Sequence, residues 1–220
     1  MNSLQLKLMQ KRAQRAVLDA LLCSLGLAIF AYLVTNPFPY KITALFPLLI
    51  TAFIISRQIK SPLRTFKLLF ENVSSLKIAI YTIIGIQMGL AAAMYHRGNL
   101  GMTVLPEAFR SFALIAASIG ILEELVFRGF IQGRLMLLNT NFAVLFAAFA
   151  HAFYKVCLFL SPAAPYQQDL TAFFFWSFAA YVALGLLRFY SKSMIPVIIS
   201  HAVFDLIVYA EILEAPWWVW

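Results

Sequence analysis

Six ionisable side chains stand in stretches that are otherwise hydrocarbon: Glu123, Glu124 and Arg128 in one, His151 in a second, His201 and Asp205 in a third. Burying such groups costs several kcal/mol unless they pair or line a wet cavity, so together they mark a candidate functional site. Glu124 and Arg128 are four positions apart, which puts them on one helical face and lets them form an ion pair. Glu123 is turned by about 100° from its neighbour and is expected to look elsewhere, leaving one carboxylate to hold the helix and the other for chemistry. His201 and Asp205 are also four apart, so the aspartate can orient the imidazole or share a ligand face with it. These groups suit hydrolysis of an amide: Glu123 takes a proton from water, His151 helps polarise that water, and His201 donates to the oxyanion. Glu123, His151, His201 and Asp205 are equally candidates for holding Zn²⁺ with one position open to water. A metal-free reaction uses the same groups, and no cofactor is favoured. No serine sits in a nucleophile elbow, and there is no HExxH.

The elements that must position these residues are membrane helices. The chain of 220 residues is 63% hydrophobic and 12% charged, with a mean hydropathy of +0.85, well outside the range of water-soluble domains. An all-α, polytopic bundle is expected, folded as a single membrane-embedded domain over residues 1–220. About seven transmembrane helices are predicted: Ala16–Val34, Ile42–Ser56, Ile78–Tyr95, Ala108–Arg128, Asn141–Leu160, Thr171–Leu187 and Ile195–Leu213. The first is read as a retained helix, because no small-residue cleavage site follows it. Ser61-Pro62 opens a further helix carrying Leu63, Phe66, Phe70 and Val73 on one side and Arg64 and Lys67 on the other, an amphipathic pattern suited to the membrane surface. The terminal Pro216-Trp217-Trp218-Val219-Trp220 suits the headgroup boundary.

The formal net charge of +8 comes from basic residues in the connections and not along one exposed face, so no nucleic-acid partner is expected. With the N-terminus in the cytoplasm, thirteen of the seventeen Lys and Arg residues fall inside, and only Lys41, Arg97, Arg110 and Lys155 fall outside. His96, beside Arg97 and Gly98, is placed in an outer loop and read as solvated and uninvolved. Cys23 and Cys157 lie in apolar segments without metal-ligand or CxxC spacing and are read as packed small hydrophobes.

Glu123-Glu124-x-x-x-Arg128 continued by Gly129, then His151 in an apolar helix, then Met194-Ile195-Pro196 ahead of His201-x-x-x-Asp205, resembles the CPBP group of intramembrane proteases. That group contains the type II CAAX prenyl endopeptidases and the bacterial Abi proteins linked to bacteriocin processing and self-immunity. The resemblance covers about Ile115 to Leu213, and its three blocks in order are more specific than any one of them. It implies Glu123 as the catalytic carboxylate, His151 as its helper on the water, and Glu124 and Arg128 as support. His201 and Asp205 are implied as binders of the oxyanion or a metal. It further implies a polypeptide substrate, lipidated or membrane-associated, contact with membrane lipid, and residence in the cell membrane of a bacterium. The chain departs from the family pattern twice. Ala147 stands four before His151, where the family usually has Phe, and Asp205 stands where the family often has Asn. A non-proteolytic immunity or partner-binding protein on the same scaffold, and a small transporter using these groups as a relay, are the alternative readings.

Overall fold

A computed structural model describes residues 3–70, 73–160 and 169–213, and among these the chain is helical with no strand. The helices are α1 (Ser3–Val34), α2 (Leu45–Ser56) entered through a 3₁₀ segment at Tyr40–Ala44, α3 (Pro62–Phe70), α4 (Ser75–Asn99) and α5 (Phe112–Glu124). α5 runs on as a π-helix over Leu125–Gln132 and ends in the short α6 (Gly133–Leu135); α7 (Thr140–Leu160), α8 (Leu170–Ser191) and α9 (Ile195–Val208) follow. Four stretches are long and apolar enough to cross a membrane: Gln5–Val34, Ser75–Asn99, Thr140–Leu160 and Leu170–Ser191. Tyr40–Ser56 and Ile195–Val208 are shorter apolar helices; the α-helical part of the former would span only about 18 Å of a hydrocarbon layer about 30 Å thick. The aromatic cluster after Pro216 lies outside the described residues.

The chain forms two compact units, each assembled from two segments: residues 1–60 with 127–185, and residues 61–126 with 186–220. In the first, α1 packs on α2 and α7. α1 buries Ala16, Ala20, Cys23, Leu27 and Ala31, α7 buries Ala143, Ala147 and Ala150, and small side chains let apolar helices approach closely. Arg134 Nη2 donates to Asp19 Oδ2 at 2.6 Å, tying α6 to α1.

In the second unit α9 packs on both α4 and α5. Gly85 and Gly89 make the α4 contact possible, since a Cβ at either would collide with the backbone carbonyl oxygen of Pro196 or Ser200 on α9. The same α4 face continues through Ala93 to Arg97, all four residues buried at a spacing of four. α4 therefore extends past the predicted end at Tyr95, and Arg97 is a buried helical residue, not part of an outer loop. Its Nε donates to Thr103 O at 2.8 Å, Nη1 to Ile207 O at 3.2 Å and Nη2 to Glu211 Oε2 at 2.9 Å. His96, one position back, is likewise helical and not part of an outer loop, with its ring centre 5.9 Å from that of Phe204. The α8–α9 connection is a tight turn in which Lys192 takes a left-handed backbone (φ 57°). Ser191 Oγ donates to Ser193 O at 2.9 Å across it, and Met194 N–H donates to Leu69 O of α3 at 2.8 Å.

Candidate active site

The site begins with a stripe two residues wide on α5. Phe112, Ala113, Ala116, Ala117, Gly120, Glu123 and Glu124 are the buried residues of that helix, so a helical face that opens on alanine closes on two adjacent carboxylates. α9 presents a matching face in Pro196, Val197, Ser200, His201 and Asp205. Gly120 brings the two faces together at this level, for a Cβ there would strike Asp205 Oδ2 and reach within 3.0 Å of His201 Cδ2.

His201 is the centre of the cluster. Its Nδ1 bonds Glu124 Oε1 at 2.8 Å, while Nε2 stands 4.0 Å from Glu123 Oε2 and 3.7 Å from Asp205 Oδ2. None of the four residues is more than 8% exposed. Glu123 and Glu124 point in different directions, and both nevertheless reach the one ring. The imidazole offers nitrogens on two edges, and glutamates diverging by about 100° each meet a different one. The substitution of Asp for the family's Asn is accommodated in the same way, since Asp205 lies against the His201 ring one turn along its own helix.

Arg128 and His151 are brought together in the other unit. Arg128 Nη1 bonds His151 Nδ1, Nη2 donates to Tyr181 O at 3.1 Å, and the guanidinium carbon lies 4.8 Å from the centre of the Tyr181 ring. The His151 ring is fully buried between Phe127, at 4.1 Å and 8° between planes, and Tyr181, at 3.7 Å and 6°. Phe127 and Tyr181 thus pack against the ring, and Ala147 is itself fully buried. The π-helix that holds Phe127 and Arg128 widens the helical turn at this point, a feature common at functional sites.

Gln132 and Arg97 are among the buried polar residues that lie outside the motifs. Gln132, four residues beyond Arg128, donates from Nε2 to Gly185 O at 3.0 Å, so Arg128 and Gln132 hold carbonyls one turn apart on α8. Arg97 was legible as the continuation of the four-residue spacing Gly85, Gly89, Ala93. As for a metal, no three His, Cys, Asp or Glu side chains among the described residues stand where one ion could reach them all. No step is routed through a metal.

Residues 104–207 match the family model described as type II CAAX prenyl endopeptidase Rce1-like, a segment that contains all six residues of the candidate site. The resemblance read from the motifs is borne out over that segment. No curated protein and no solved structure matches the chain.

Proposed function

We propose, with the type II CAAX prenyl endopeptidase family as premise, that this chain is an intramembrane endopeptidase that hydrolyses a peptide bond of a lipidated or membrane-associated polypeptide. What carries the reading is the cluster on α5 and α9: a glutamate, an imidazole and two further carboxyls, buried on apolar helices within the matched segment. Structural ion pairs alone rarely require so many charges where hydrocarbon would serve.

In this reading Glu123 is the base. It takes a proton from water, the hydroxide attacks the scissile carbonyl carbon, and the proton passes to the departing amine. Glu124 accepts from His201 Nδ1–H and fixes the ring, which leaves Nε2 as the atom directed at the chemistry. To donate to an oxyanion Nε2 needs a proton as well, and the two carboxylates within 4.0 Å are the counter-charge for that imidazolium. His151 is assigned the supporting role that its place in the family motif implies, helping to activate the water. No resident cofactor is invoked.

The test is cleavage of a lipidated C-terminal peptide by purified protein in nanodiscs. Glu123→Gln is expected to lower turnover by about 10²–10⁴-fold, the usual contribution of a positioned base, with helix content unchanged. His151→Ala should also lose turnover, whereas a chelator should leave it intact. Normal cleavage by Glu123→Gln would overturn the assignment of the base, and stoichiometric zinc with chelator-sensitive turnover would overturn the metal-free reaction.

A further inference from the structure

One helical face of α1 changes character along its length. Lys11, Arg15, Leu18 and Leu22 follow one another at spacings of four, three and four, so two cations and then two leucines share a stripe about 16 Å long. α2 repeats the gradient in its last turns, with Ile54 before Arg57. The two helices touch where Gly26 meets Thr51, a point at which a Cβ would collide with the threonine hydroxyl. Further along, they part around an open cavity of about 530 Å³ lined by these six residues together with Gln14 and Asp19.

The charge in this cleft is unbalanced. Asp19 also lines it, but its carboxylate is buried and already held by Arg134 at 2.6 Å. No carboxylate among the described residues pairs with Lys11, Arg15 or Arg57. Membrane orientation accounts for basic residues near this end of the chain. It does not account for three of them converging from two helices on a concavity whose floor is leucine and isoleucine. A free anion would satisfy the cations and leave that floor bare, while an apolar molecule would do the reverse. An amphiphile with a negative head and a hydrocarbon tail satisfies both.

We propose that the cleft between α1 and α2 binds an anionic phospholipid, its phosphate on Lys11, Arg15 and Arg57 and an acyl chain along Leu18, Leu22 and Ile54. The cleft uses none of the catalytic residues, so the proposal stands apart from the protease reading.

The experiment uses the full chain extracted from nanodiscs of equal parts phosphatidylglycerol and phosphatidylcholine, with retained lipid measured by native mass spectrometry. Preferential retention of phosphatidylglycerol is expected, weakening as ionic strength rises. Lys11→Gln/Arg15→Gln should reduce it roughly 30-fold, taking about a factor of five for each cation at the membrane boundary, and Arg57→Gln on the other helix roughly 5-fold. The control Arg12→Gln/Lys41→Gln removes the same net charge from residues that do not line the cleft and should retain the lipid. All of these side chains are exposed, and circular dichroism verifies that each variant keeps its helix content. Equal retention of the two lipids, or equal loss in the control, would overturn the site. Displacement of the lipid by millimolar inorganic phosphate would reduce it to a site for a free anion and overturn the lipid assignment.

Discussion

An imidazole flanked by three carboxyl groups divides labour among residues that look alike in the sequence. Glu124 has no exposed surface and makes the 2.8 Å bond to His201 Nδ1, so its first duty is to the protein. Glu124→Ala should lower stability by roughly 1–2 kcal/mol, read as a fall in denaturation midpoint, because it strands a buried ring nitrogen. Glu123 stands farther off, at 4.0 Å from the other nitrogen, and Glu123→Gln should lower that midpoint less than Glu124→Ala. Asp205→Asn keeps the shape that fits against Gly120 and gains an amide able to donate, so it should retain turnover, whereas Asp205→Leu should abolish it. Turnover assays on both variants check this.

At the scale of elements, three glycines set distances that no other residue would permit. Gly85 and Gly89 face backbone carbonyls of α9, which cannot step aside. Gly89→Ala should therefore cost about 1–3 kcal/mol by forcing α4 and α9 apart. Gly120→Ala should cost a similar amount and also cut turnover, since what it displaces is the Asp205 carboxylate. Thermal unfolding of the two variants beside their activities separates the effects. The end of the α4–α9 pair carries a pH dependence. Glu211, beyond the last turn of α9, has its carboxyl held below the usual range, first by the Glu107 backbone N–H and then by Arg97. A group whose folded pKa is depressed adds stability above its unfolded pKa, about 4.3, and loses it as pH falls through the folded value. The midpoint should hold near neutrality and fall below about pH 4, and Glu211→Gln should flatten that acid-side decline.

Helices with long apolar repeats were legible. α7 begins one residue from its predicted start, and α3 begins at Pro62 as its sequence signal requires. What escaped lies where composition and geometry part. α4 continues through His96 and Arg97 because burial, and not hydrophobicity, sets its face, and α9 stops at Val208 although apolar residues continue to Leu213. The six candidate residues were found by their cost in hydrocarbon. The convergence of both glutamates on one ring was missed because periodicity gives the directions of side chains on one helix and says nothing of a partner that can be met from two sides.

The whole molecule carries its charge unevenly, and the N-terminal stripe of Lys7, Lys11, Arg12 and Arg15 predicts that this end faces the cytoplasm. The native thiols make this simple to measure: Cys23 is fully buried and Cys157 is 6% exposed, so both should be silent to an impermeant maleimide. In intact cells Arg110→Cys should label and Lys7→Cys should not, with the order equalised once the membrane is opened. Labelling of Lys7→Cys in sealed cells would invert the predicted orientation. The left-handed turn at Lys192 has a practical side, since a lysine there spends about 1 kcal/mol on a conformation that asparagine accepts readily. Lys192→Asn is thus a starting point for a hardier preparation, one that should survive detergent extraction longer and crystallise more easily without any change to the peptide-cleaving machinery.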